Sequence, residues 1–572
     1  MKKKLSLGLY ALGLLFYLVL PCFGMGTAPP SNSPTFTNTL LAKAEVDECY
    51  NGIGQPYKAG PTCASNEKKK ANQSYLWGMT KSGDTIWFGT APNMLCLVQA
   101  FSEYENPSDY TANPYQGSLW VCEYAKGQYL KTKMPNVPAP AVFNDYRPPK
   151  IYTYNITTKT LTDKTLAITD ANAQLLLQAT FGLRSAVTYS GLVILSGPMA
   201  LGAGINVFVF NASTGNFIAA GTLTSYQNIR KWLVLNNVLY TAVGKESGGG
   251  AVLRWSGTMA NPLAFTEVGT LDGTGAELEV YNGRIFVSTW PSRTGTANLA
   301  GLWMSPVVSS TGLTTADAAS WKKVWQVDKY EPDAFGAMLY GMGAMASYGG
   351  YLYWGTMHVQ GKAALSYIKQ YNIPTYGYAD AYFNSWRATA VFRGSNFDTT
   401  PSVELLYGES SMPVFVKSGS SGYWTTSRNK MGGVSGRYGT SGFGNDYNNY
   451  TWTMAVYKNQ LFVGTMDFSY LILDWNNLQN EYTGGNYIPI PWFFYPDSSE
   501  FGADLWRFPS ASSAAVRVSR DGLGNYTNYG FRNSIADDAT GLYLGTANPA
   551  NIAANSDGSL KGGWELRRLV QN

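Results

Sequence analysis

The chain has 572 residues, of which 45% are hydrophobic and 14% charged, where an ordinary soluble domain carries about 25% charged residues. Mean hydropathy is -0.15, and Gly, Ser, Thr, Asn and Tyr fill the place of the missing charge. These values exclude a disordered tail and a multi-span membrane protein.

In chain order, Lys2, Lys3 and Lys4 precede an apolar run from Leu5 to Leu20, broken by Pro21 and followed by Cys22-Phe23-Gly24. This is the pattern of a secretory signal peptide over residues 1–24, which predicts a secreted, cell-surface or periplasmic protein. A lipid-modified Cys22 is the competing reading. Removal of the three lysines takes the formal charge from +5 to +2, so there is no electrostatic case for nucleic acid. The run Lys68-Lys69-Lys70 reads as a solvated loop face. No later apolar stretch predicts a transmembrane anchor, since Gly191 to Phe210 is interrupted by Gly197, Pro198, Gly202 and Gly204.

Four cysteines follow the leader: Cys49, Cys63, Cys96 and Cys122. An even number in an exported chain suggests two disulfides, and four cysteines allow three pairings. Cys49–Cys63 and Cys96–Cys122 are favoured because each closes a local loop. Residues 25–73 then form a partly irregular, stapled N-terminal segment. With one histidine in the chain and no Cys-x-x-Cys-His, neither a metal nor a cofactor is expected.

A short unit recurs from Ser74 onward: an apolar stretch, a turn of Asn, Gly or Ser, then a β-rich run ending in a small residue. It begins at Ser74, Leu183, Ile229, Glu277, Gly343, Trp452 and Arg532, and its closing small residues are Gly89, Ser196, Ala242, Ser288, Gly355, Gly464 and Gly545. Each copy reads as a β-hairpin, and most are followed by a third strand, such as Val252-Leu253-Arg254-Trp255. The two shortest spacings are 46 residues, the length of a bare propeller blade. The pattern resembles exported bacterial-type β-propeller proteins over residues 74–572. The resemblance implies an all-β fold: a single propeller of seven blades, each of about four antiparallel strands, with long inserted loops.

Propeller geometry brings the start of each innermost strand to the axis. Twelve residues before the closing residues stand Trp77, Arg184, Arg230, Ala276, Gly343 and Trp452, and Arg532 takes this place in the last copy, whose turn is one residue longer. Trp452, Arg532, Trp77, Arg184 and Arg230 would form an arc, with an opening at Ala276 and Gly343. Arginine offers a planar fork for anionic oxygens, and tryptophan offers a flat apolar face for a sugar ring. Together they describe a pocket for an acidic sugar; the alternative is that they tie blades together and fill the core.

Three residues after each closing residue, a second ring contains His358, Asp467 and Asn548. His358 beside Asp467 would suit a general base, and with the arginines would suit β-elimination from a uronic acid. A hydrogen-bonded loop histidine is the alternative. Ser519-Arg520-Asp521-Gly522 reads as a turn, and Asp272-Gly273-Thr274-Gly275 lacks the alternating acids of a calcium loop. The aromatic segments 367–386 and 488–495 would be sugar platforms, docking surfaces or packed lids. Two function classes follow. One is a non-catalytic propeller binding a glycan, an acidic sugar above all, or a surface protein. The other is a lyase or hydrolase on uronate-type polysaccharide, with His358 and Asp467 catalytic.

Overall fold

The structure, a computed structural model, describes residues 34–102, 118–123, 126–135, 145–200, 203–292, 299–419, 421–472 and 496–572. The leader at 1–24, with Cys22, and the aromatic run 488–495 lie outside the described residues.

Antiparallel pairing organises the chain into successive four-stranded sheets. Sheet I is Gln73–Ser82, Thr85–Pro92, Ile151–Asn155 and Thr160–Asp163. Sheet II is Ser185–Tyr189, Leu192–Pro198, Ile205–Asn211 and Phe217–Leu223. Sheet III is Tyr226–Leu235, Val238–Lys245, Gly250–Trp255 and Phe265–Leu271. Sheet IV is Thr274–Tyr281, Arg284–Trp290, Gly301–Met304 and Lys322–Gln326. Sheet V is Tyr340–Tyr348, Tyr351–His358, Val391–Ser395 and Ser402–Tyr407. Sheet VI is Asn448–Tyr457, Gln460–Asp467, Leu505–Phe508 and Val516–Ser519. Sheet VII takes Gly530–Asp537, Gly541–Ala547 and Glu565–Gln571 from the end of the chain. Its fourth strand is Phe36–Lys43, which pairs with Glu565–Gln571.

The turns explain why these segments fold back locally. Ser190-Gly191, Asn236-Asn237, Asn282-Gly283, Gly349-Gly350 and Lys458-Asn459 each hold both central residues at positive φ. Two-residue turns of that kind match the right-handed twist of the strands they join. The first strand of each sheet packs against the first strand of the next, and that of sheet VII returns to sheet I. The first strands therefore form a closed cycle, and the apolar clusters lie between adjacent sheets. Leu192, Ile194 and Val207 of sheet II meet Ile229, Leu239 and Leu253 of sheet III in this way.

Both favoured disulfides are present, Cys49–Cys63 and Cys96–Cys122. The second holds an insertion between the second and third strands of sheet I, including the helix Met94–Ser102. The lysine run does not form a solvated face. Lys68 and Lys69 are exposed, but Lys70 is fully buried, with Nζ 2.7 Å from Glu123 and 3.5 Å from both Glu48 and Asp145. Arg147 joins this network at 2.8 Å from Glu48. Lys68–Lys70 is a strand, paired with Glu48–Tyr50; alternation turns Lys69 away from Lys70, and Lys70 alone of the three is buried, against the acidic cluster.

The segment 367–386 is not a loop. It is occupied by the helices Gln360–Tyr371 and Tyr378–Asn384. Gln360, Ala363, Ala364 and Tyr367 form the buried stripe of the first, and Asn372 caps it in the left-handed conformation. Tyr367 and Tyr371 pack against Phe335 and Phe415, whereas Tyr376 is 91% exposed. Among the described residues no helix is long and apolar enough to cross a membrane.

Candidate functional site

The axial residues are aimed by bulges. Pairing between the first and second strands shifts between Leu76 and Gly78, between Ile229 and Trp232, and between Gly275 and Leu278. It shifts again between Met342 and Met345, between Thr451 and Thr453, and between Phe531 and Asn533. Each shift leaves extra backbone opposite the partner strand, which bends the strand and redirects a side chain. Trp77, Arg230, Glu277, Trp452 and Arg532 all stand at such positions. Arg184 immediately precedes its strand, held by its N–H donating to the Ser196 carbonyl at 2.8 Å.

Most of the predicted arc comes together. The Arg184 guanidinium lies 5.0 Å from the ring centroid of Trp77 and 5.0 Å from that of Trp290. The Arg230 guanidinium lies 4.7 Å from the Trp290 ring centroid, and that of Arg532 lies 5.9 Å from the Trp452 ring centroid. These are cation–π distances, at which the ring faces attract the positive charge. The Trp290 indole donates to the Met342 carbonyl at 2.8 Å, which fixes its plane. Both arc tryptophans are seated on glycine: a Cβ at Gly182 would lie 2.5 Å from Trp77, and one at Gly530 would lie 2.1 Å from Trp452.

Polar pairing is incomplete. Arg230 Nε donates to Glu277 at 2.9 Å, and Arg184 Nη1 donates to Asn228. Arg184 Nε, Arg230 Nη2, and both Nε and Nη2 of Arg532 are buried without a hydrogen-bond partner. Buried donors are nearly always paired, and these four nitrogens on three neighbouring arginines are available to an acceptor. Burial, with the charges of Arg230 and Arg532, pushes Arg184 well below its ordinary value. Burial and Arg230 push Arg532 down to about 9. Burial opposes ionisation of Glu277, yet Arg230 and its cationic neighbours hold it below the usual carboxylate value. Three guanidiniums thus face one carboxylate, an excess of two positive charges. Arg230 and Arg532 are buried, while Arg184, Trp290 and Tyr450 keep part of their surface open to solvent and border the cluster.

The expected opening does not exist where the spacing put it. Ala276 is buried, and a Cβ at Gly343 would lie 2.4 Å from the Thr451 carbonyl, so that side of the ring is close-packed. Glu277 and Trp290, which the spacing did not nominate, occupy the axis instead. The bulge in sheet IV sets two residues, Ala276 and Glu277, opposite one on the partner strand, and Trp290 arrives from a second strand.

His358 and Asp467 share no hydrogen bond or ion pair. The His358 ring pairs with Gln360 at 2.9 Å, and burial with the nearby Arg387 charge pushes it down to about 3. Asp467 accepts from the Ser469 backbone at 2.8 Å and from Asn445 at 2.9 Å, and burial beside Asp504 pushes it up to about 8. A neutral histidine and a protonated aspartic acid do not make a base and its orienting carboxylate. The amide of Asn548 is spent on Thr527, Asn528 and the Lys561 carbonyl, so it has nothing to offer a ligand. Ser519 closes the strand Val516–Ser519 and Arg520-Asp521-Gly522 turns the chain, and the loop they enter has a twin. Gly442-Phe443-Gly444-Asn445 and Gly522-Leu523-Gly524-Asn525 share three successive residues at positive φ.

No protein family and no curated protein matches the sequence. Among solved structures, the Dos1 propeller aligns at 7% identity over 87% of this chain and 93% of its own, with a TM-score of 0.39. The β-propeller domain of the Trilobed protease from Pyrococcus furiosus aligns at 7% identity over 80% and 98%, with a TM-score of 0.31. An exo-β-1,3-galactanase from Phanerochaete chrysosporium aligns at 6% identity over 56% and 60%, with a TM-score of 0.26. Each score is under 0.5, and no residue role is carried over from them.

Proposed function

We propose that this chain is an exported, seven-bladed β-propeller that binds an acidic sugar at its axis. Sheets I to VII would be the blades, with Phe36–Lys43 closing the ring by pairing with the last strand. The two disulfides support export, because such bonds persist in oxidising compartments. The observation that carries the binding reading is the set of unpaired buried N–H groups on Arg184, Arg230 and Arg532, under an excess of positive charge. An anionic group would satisfy those donors, while Trp77 and Trp290 hold the guanidiniums in place through their ring faces. A catalytic role for His358 and Asp467 has no such support, because the two do not meet. Fold alone licenses no activity, so the reading rests on the cluster.

Calorimetric titration with a panel of acidic and neutral monosaccharides tests it. Acidic members should bind, and Arg184→Ala should weaken them by about tenfold or more, since a charge-assisted hydrogen bond contributes roughly 1.5–3 kcal/mol. Flat titrations for every acidic sugar, with an Arg184→Ala variant that merely melts earlier, would assign the cluster to the core.

A further inference from the structure

The count of charges and donors at the axis narrows the acidic group itself. Arg184, Arg230 and Arg532 come from three different sheets and face one carboxylate, Glu277, which accepts from Arg230. Neighbouring charges do not alter the balance: Lys231 is paired with Glu279 at 3.5 Å. Tyr450 faces Arg184 and Arg230 as a neutral phenol, its pKa raised by burial. Four nitrogens are open: Arg184 Nε, Arg230 Nη2, and Nε and Nη2 of Arg532. A carboxylate brings one charge and two oxygens, and would leave one positive charge buried. A phosphate monoester brings nearly two charges and three terminal oxygens, one for each arginine.

Resting on the proposed binding of an acidic sugar, we infer that the group held by Arg184, Arg230 and Arg532 is a phosphate monoester. The ligand is then a sugar phosphate, or a phosphate-bearing glycan end, entering past half-buried Arg184, Trp290 and Tyr450. Uronates would be the weaker ligands of the same site.

The test uses the intact protein and three hexoses: glucose 6-phosphate, glucuronate and glucose. Titrations are run at pH 7.5 and pH 5.0, either side of the second phosphate ionisation near 6. At pH 7.5 glucose 6-phosphate should bind at least tenfold more tightly than glucuronate, and glucose should give no signal. At pH 5.0 that advantage should shrink, because the phosphate has lost most of its second charge while glucuronate keeps its one. Glucuronate binding as tightly as glucose 6-phosphate at pH 7.5, or an advantage unchanged at pH 5.0, would overturn the phosphate assignment and leave the acidic-sugar reading standing. Silence from both anions would overturn the two together.

Discussion

Arg387 and Arg532 are both buried arginines, and the difference between them separates a structural charge from an open one. Arg387 meets Glu331 through Nε at 2.8 Å and Nη2 at 3.2 Å, and spends its other donors on the carbonyls of Asn384, Trp386 and Pro413. Its partners hold it more firmly charged than a free arginine. Arg532 has the face of Trp452, leaves Nε and Nη2 unpaired, and is pushed down to about 9. One guanidinium is consumed by the fold, whereas the other is stocked with donors that the protein does not use. Burying a charge without its partners costs several kcal/mol, which a molecule tolerates where a ligand returns the cost.

The contrast is broken most severely at Arg387. Arg387→Leu leaves Glu331 buried without its cation and should destabilise by about 3–5 kcal/mol, measured by denaturant unfolding. The same change at Arg532 removes a charge with no ion-pair partner, so without anions it should be neutral or stabilising. Equal losses at the two positions would mean that Arg532 is a structural arginine too.

Removing the Cys96–Cys122 bridge by paired serine substitution should cost about 3 kcal/mol in the same assay, by restoring loop freedom to the unfolded chain. The bridge ties the sheet I insertion into the apolar cluster that also holds Trp77 and Trp452. Loss of anion binding beyond the stability loss would show that the insertion helps seat those rings.

A pH-dependent effect should come from Asp467. Its folded value near 8 lies above the unfolded value near 4, so between these pH values the folded state holds a proton that the unfolded chain has released. Its contribution is therefore most favourable below about pH 4 and declines as pH rises towards 8. Asp467→Asn should flatten that decline in melts run from pH 5 to pH 8, and an unchanged slope would place the titration elsewhere.

What could be read from the sequence follows from the range of each interaction. The hairpins and both disulfides close over short stretches, so turn residues and spacing were sufficient to find them. Trp452, Arg532, Trp77, Arg184 and Arg230 were nominated because one position recurs in phase with the hairpins. Glu277 was missed because the sheet IV bulge sets Ala276 and Glu277 together opposite one residue and the spacing nominated only the first, and Trp290 because it arrives from a second strand. Phe36–Lys43 carries no local mark of its partner, which lies at the other end of the chain. The pair His358 and Asp467 failed for a different reason: adjacency in an aligned ring says nothing of side-chain direction, and each turned to a nearer amide. The helix Gln360–Tyr371 did leave a trace in its buried residues at helical spacing, with Asn372 and Pro374 marking its stop.

The axial charge excess is tested most directly by diffraction from crystals soaked in selenate, a doubly charged tetrahedral oxyanion with a strong anomalous signal. The account predicts an anomalous peak within hydrogen-bond distance of Arg184, Arg230 and Arg532, absent from Arg532→Leu crystals and never beside the satisfied Arg387. Peaks confined to exposed lysines, with the three axial arginines unchanged and unoccupied at saturating selenate, would contradict it.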